Sequence, residues 1–343
     1  MKIFFYLALI SFSFANNFYL VNDVTIGYDS NPMKLSKNEL NESVGDLFLS
    51  KYSINTKYIK FYSKLRTSFS IFDRKTKVSL GLKLNKYLDL DEKTNYGVYF
   101  NSSQPLGGFQ TIKFTYTHIP DIFLRQYDDA DAIHQYLNNL TPEAKAKKCY
   151  FNLSKASLYY EFPFIDRKNK AKIGYSNETH YYNQYFTEFD LDIKGFQIAF
   201  FGKMNSGSYD LSYQFNNADN ITFLNGNVST SQMDRSYSER GYKISLNKKI
   251  EKFSLGVSVD NKKRSFTSTL LTDNLHRSRT HNDKTISISF KYKINNLNHK
   301  VKLSSRERNT ESPYGWVEDL KTFKRYDLSY TVYFKKILLG SHK

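Results

Sequence analysis

A two-residue period of apolar and polar side chains, repeated in segments of ten or so residues, constrains this chain more than any other feature. Near the C-terminal end Tyr326, Leu328, Tyr330, Val332 and Phe334 alternate with Arg325, Asp327, Ser329, Thr331 and Tyr333. Ile286, Ile288, Phe290 and Tyr292 alternate with Thr285, Ser287, Ser289 and Lys291, and Val78, Leu80, Leu82 and Leu84 with Ser79, Gly81 and Lys83. Successive side chains of a strand point to opposite faces, so each segment predicts a strand with one apolar and one polar face. Similar strands are expected near 19–28, 46–60, 94–103, 109–118, 150–162, 170–181, 191–202, 209–215, 238–249, 253–260 and 299–309. That gives about fourteen, each near the length that crosses a bilayer at a tilt.

The joins carry a second pattern. Those near Gln104–Gly108, Met204–Ser206, Ile250 and Asn295–Asn298 are tight, with several turn-forming residues. Those at 29–45, 119–149, 217–237, 266–283 and 310–322 are long and polar. Long and short joins alternate, with a longish 61–74 and a short 88–93 out of step. A soluble sandwich has no reason to keep that rhythm, whereas a membrane barrel has short periplasmic turns opposite long outer loops. The expected fold is therefore all-β, a closed antiparallel transmembrane β-barrel of about fourteen strands that buries no apolar core and is held by its ring of backbone hydrogen bonds. A short helix is expected within 131–148.

The N-terminal end agrees. Lys2, the apolar run Ile3–Ile10 and the small residues Ser13 and Ala15 have the layout of a cleaved secretory signal over residues 1–15. The barrel is then expected to occupy 16–343, with a short tail at 335–343. No later apolar run is long enough for a helical span. The 28 Tyr and 28 Phe favour strands and aromatic girdles. The formal net charge of +17 excludes a helical membrane protein but suits a barrel with a polar lumen.

The first mature strand closes on Gly27-Tyr28-Asp29-Ser30-Asn31-Pro32. This stretch resembles the opening of uncharacterised Gram-negative outer-membrane barrels, and of the barrels of surface-lipoprotein assembly modifiers. The resemblance covers about ten residues and implies the architecture. The implied partners are outer-membrane lipid, lipopolysaccharide and the barrel assembly machinery. Such barrels usually end on an aromatic residue; here the pattern ends at Phe334, before the tail.

Strand parity assigns an inner face. Lys77, Lys83, Lys113, Lys155, Lys172, Lys243, Lys291, Lys293 and Lys302 fall there, with fewer acids (Glu161, Glu178, Asp210, Asp260 and Asp327). A wet lumen with that excess concentrates anions; a bland alternative is that each Lys pairs with an acid and fills space. The expected function is a channel or transporter for small solutes, anionic ones on the reading of the lumen, the alternative being a non-conducting surface-exposed binding or assembly barrel acting through its extracellular loops. Tyr28, Asp29, Asn31, Asp121, Arg125, Asp128, Asp129, Asp234, Arg235, His276, Trp316 and Glu318 are the candidates for a site at the mouth.

Catalysis is not expected. Ser176 and His180 would lie on one strand roughly 13 Å apart, too far for proton transfer. The acids Asp121, Asp128, Asp129 and Asp131, and Glu188, Asp190 and Asp192, match no calcium-loop spacing. No metal or cofactor is expected. The Lys residues are spread over every strand without a recognised module, which argues against nucleic acid.

Overall fold

The computed structural model describes residues 18–42, 54–71, 73–127, 147–222, 233–295 and 297–339. The expected leader 1–15 and most of the expected loop helix lie outside the described residues, while Lys147 and Lys148 already belong to a strand.

Fourteen antiparallel strands close into one barrel. In chain order they are β1 (Phe18–Asp29), β2 (Thr56–Ile71), β3 (Arg74–Tyr87), β4 (Asn95–Gly107) and β5 (Gln110–Tyr127). Then come β6 (Lys147–Phe164), β7 (Asp166–Tyr182), β8 (Leu191–Met204), β9 (Gly207–Asn220) and β10 (Tyr237–Ile250). The last four are β11 (Phe253–Phe266), β12 (Thr280–Ile294), β13 (Leu297–Glu311) and β14 (Phe323–Leu339). Each strand pairs with its sequence neighbour, and β1 pairs with β14 from Phe18↔Leu339 to Asp29↔Asp327. Closure leaves no strand edge unpaired, which a sheet in hydrocarbon requires.

The apolar parity faces outward: Ile26, Leu82, Leu158, Ile288 and Leu328 are all at least half exposed on the isolated barrel. Their sequence neighbours face the lumen. Short turns, the start of β1 and the end of β14 lie at one end, and the long joins at the other. The short turns need left-handed backbone, and Asp73, Phe109, Glu251 and Asn295 take positive φ there, beside Gly107 and Gly108.

Four expectations change. Residues 46–53 of the strand expected at 46–60 lie outside the described residues, and the strand described there is β2 at Thr56–Ile71, so the irregular join 61–74 becomes a tight turn and the long/short rhythm is restored there. β5 runs past residue 118 to Tyr127, through register shifts after Ile119 and Phe123, and Asp121 takes φ 51° between them. That bulge is what hid the second half of the strand, because an inserted residue resets the two-residue period. Residues 335–339 are not a free tail; β14 continues through them against β1.

The fourth change concerns the interior, which was expected to lack an apolar core. At the long-loop end Met33, Leu35, Leu90 and Phe123 form one buried cluster, and Leu191, Ile193, Ala218 and Tyr237 another. The first forms because the β1–β2 connection turns inward and carries a short helix, α1 (Lys37–Glu42), there. A second short helix, α2 (Gly315–Lys321), lies beside β13 and α1 and buries Val317.

Candidate functional site

The lumenal wall has two electrostatic zones. In the zone near the long loops, arginines are paired by forks. Arg325 donates Nε and Nη2 to the two oxygens of Asp29 at 2.8 and 2.5 Å. Arg306 and Arg308 donate to opposite oxygens of Asp283, with Nη2 distances of 3.1 and 2.6 Å, and Arg264 forks onto Glu239 Oε2. Register explains two of these pairs, since Asp283 faces Arg308 and Glu239 faces Arg264 directly across neighbouring strands. The planar guanidinium suits such two-bond contacts better than an ammonium does. Arg125 reaches from β5 to Glu39 of α1, tying the inward-turned loop to the wall.

Positive charge nevertheless exceeds its partners here. Arg279 is 5% exposed, lies 3.9 Å over the Phe266 ring, and has no acceptor for Nε or Nη1 among the described residues. Burial and the guanidinium groups of Arg235, Arg308 and Arg264 bring its pKa down to about 9. Burial, with Arg125 and Arg279 beside it, lowers Lys321 to about 7, and burial with Arg125 and Arg325 lowers Lys93 to about 8. Lys34 is pushed well below its ordinary value by burial and then by Arg306, Lys93 and Arg308.

Toward the short turns the picture differs. Every lumenal lysine singled out from the sequence lies on a strand and on the inward parity, but their environments diverge. Lys113 bonds Glu161 at 2.6 Å and Lys155 bonds Glu178 at 2.9 Å, so these two are neutralised space-fillers. Lys172 sits 4.8 Å from the Tyr159 ring centroid, Lys83 lies in electrostatic reach of Asp23, and Lys243 stands opposite Asp260. Lys291, Lys293 and Lys302 make no ion pair among the described residues. Lys291 faces Lys300 directly across the β12–β13 pair, and Lys302 faces Ser289 and Ser329. Sequence reading missed Lys300, the arginines on β11, β13 and β14, and the cations of β2. The same parity rule reaches Lys300, Arg306, Arg308 and Arg325 within the stretches already expected as strands, whereas Arg264 and the β2 cations Lys64 and Arg66 needed the strands' real lengths.

The candidates for a mouth site do not converge. Tyr28 and Trp316 are exposed, and Asp121 lies on the β5 bulge, its amide donating to Asn152 Oδ1. Asp128 and Asp129 lie outside the described residues. Asn31 is a structural hub, giving Nδ2 to the carbonyls of Leu35 and Lys324 and accepting the Leu35 amide. Glu318 accepts the Ser312 amide, and Asp234 accepts that of Ser236. His276 is buried, its Nδ1 3.0 Å from Asp273 Oδ1, and Arg235 is stacked 4.3 Å from the Phe189 ring centroid. Among the described candidates Asp29 and Arg125 alone belong to the lumenal ion-pair zone. His180 bonds Glu178 at 2.7 Å, so its partner is a carboxylate rather than Ser176.

Solved outer-membrane barrels share this architecture. A mutant of the TodX monoaromatic hydrocarbon channel aligns with a TM-score of 0.50 at 8% identity, over 94% of this chain and 90% of that one. The outer membrane channel DcaP of Acinetobacter baumannii gives 0.49 at 9% identity, over 93% and 96%. An anion-selective porin from Comamonas acidovorans gives 0.46 at 5%, over 93% and 98%. At these identities the likeness concerns the fold alone. No family model matches the chain, and no curated protein matches it.

Proposed function

We propose that the protein is an outer-membrane channel for small anionic solutes, its short turns in the periplasm and its long loops outside the cell. In that placement its apolar band meets lipid, its outer rim meets lipopolysaccharide, and the barrel assembly machinery inserts it. The observation that carries the reading is the bare cationic wall of β12 and β13. Lys291 and Lys300 stand side by side, with Lys302 on the same face, and their lumenal cross-strand neighbours are Ser289, Ser329 and Thr331 rather than acids. Like charges opposite one another weaken a sheet. A wall that keeps them unpaired sets a positive field along the lumen, which raises the local concentration of anions.

Purified barrel in a planar bilayer under a KCl gradient tests this. Discrete conductance steps with a reversal potential of the anion-selective sign are expected, moving toward zero in Lys291→Gln/Lys300→Gln/Lys302→Gln. A reversal potential of the cation-selective sign would sink the anion assignment. A folded, heat-modifiable barrel that never conducts would sink the channel itself and leave a binding or assembly barrel acting through its loops.

A further inference from the structure

At the short-turn end, β1 to β4 and β14 enclose a cavity of about 580 Å³ on the lumenal side. Lys64, Arg66, Lys75, Lys77 and Lys335 line it, and among the described residues no Asp or Glu does. The register shows how the cluster is built. Lys64 and Lys335 flank Val21, on β2 and β14. One step lower Arg66 lies between Tyr19 and Ser79, with Asn101 beyond, and below that Lys77 lies between Ser68 and Ser103. Lys335 rests 4.2 Å over the Tyr19 ring, which holds its ammonium at the cavity edge.

The contrast with the rest of the wall is informative. In other stretches of the wall a lumenal cation has a carboxylate across the strand pair, as Lys113 has Glu161, Lys155 has Glu178 and Arg264 has Glu239. Here the positions that would hold those carboxylates are Ser68, Ser79, Asn101 and Ser103, short side chains that leave room and offer hydrogen bonds. None of the five cations has an ion pair among the described residues. The nearest lumenal acid on β1, Asp23, is in reach of Lys83 instead. Five cations around one void of small-molecule size repel each other unless an anion enters.

We infer that this cavity is a binding site for a small phosphorylated solute carrying two or more negative charges. Three features favour phosphate chemistry over a single carboxylate. Four ammonium groups supply point charges in several directions, the Arg66 guanidinium supplies a two-bond fork, and the Ser hydroxyls can donate to remaining oxygens. The inference rests on the anion-channel reading for its biological sense, but the binding chemistry stands on the cavity alone.

Pyrophosphate is the probe, titrated calorimetrically into the folded, detergent-solubilised full-length barrel at constant ionic strength. Saturable binding is expected, weakened at least tenfold in Lys64→Gln/Lys77→Gln. It should change less than twofold in Arg240→Gln/Lys263→Gln, which removes as much charge from the outward parity of β10 and β11. Excess chloride should not displace the ligand, whereas inorganic phosphate should compete. No saturable binding, equal losses in both double variants, or displacement by chloride would each overturn the site. Should the pocket variant fail to fold, the competition series on the unmodified protein still decides. Binding without conductance would end the channel reading and keep the site; conductance without binding would do the reverse.

Discussion

Replacing Asp29 by Ala probes how the long-loop end is held together. The carboxylate is fully buried, accepts two guanidinium bonds from Arg325 at 2.8 and 2.5 Å, and accepts the Asn31 amide at 3.1 Å. Without it Arg325 is left facing Arg306, its direct neighbour across β13–β14, while Asp327 is already bonded to the Tyr58 hydroxyl at 2.8 Å. Removing one partner of a buried, hydrogen-bonded ion pair costs about 3–5 kcal/mol. The Arg325 side chain keeps 21% exposure. Water in the lumen therefore recovers part of that cost, and the expected loss is about 2–3 kcal/mol. Urea unfolding of the barrel in micelles, followed by the gel-mobility difference between folded and unfolded forms, measures it. Arg325→Ala should be at least as damaging, because the carboxylate it strands is wholly buried. The double variant should be less destabilised than the sum by about 1 kcal/mol or more. A single-variant loss under about 0.5 kcal/mol, or simple additivity, would refute the idea that this pair anchors the β1–β14 seam.

Two further predictions follow from the connections. His276 has its pKa lowered to about 4, chiefly by burial, with Asp273 opposing the shift. Between its ordinary value of 6.5 and that folded value the unfolded chain binds the extra proton, so this contribution is complete above pH 6.5 and is lost as pH falls. Hydrogen exchange over 267–279, corrected for intrinsic rates, should show weaker protection at pH 5 than at pH 7.5, and equal protection would contradict the assignment. Ile165, at φ 70° and 87% exposed in the β6–β7 turn, holds a β-branched residue in left-handed backbone with little packing in return. Ile165→Gly should therefore stabilise the barrel by about 0.5–1 kcal/mol in the same urea assay; a destabilised variant would show that the turn is unstrained.

The opening stretch Gly27–Pro32 illustrates how a legible motif can mislead about role. Gly27 leaves the space that the Tyr58 ring fills, Asp29 holds Arg325, Ser30 accepts the Tyr326 amide, and Asn31 fixes the inward turn of the loop. Asp29 and Asn31 looked specific enough for a ligand, and their specificity is for this chain's own backbone and arginine.

Sequence alone determined the architecture and the face of each residue within a clearly alternating strand. Side-chain direction has a period of two, so Leu82 facing outward places Lys83 in the lumen without any knowledge of what lies next to it. The rule weakened where contrast was low. In β2 the outward set includes Ser63 and Thr67 while the inward set includes Tyr62, and the strand's second half went unread. In β5 the bulge near Asp121 broke the period itself. Tertiary structure decided which charges are cancelled. Lys113 and Lys291 look alike in sequence, yet one meets Glu161 and the other meets Lys300. That difference depends on inter-strand register and on which loops turn inward, both non-local, and it separates a wall filled by ion pairs from one left without acids.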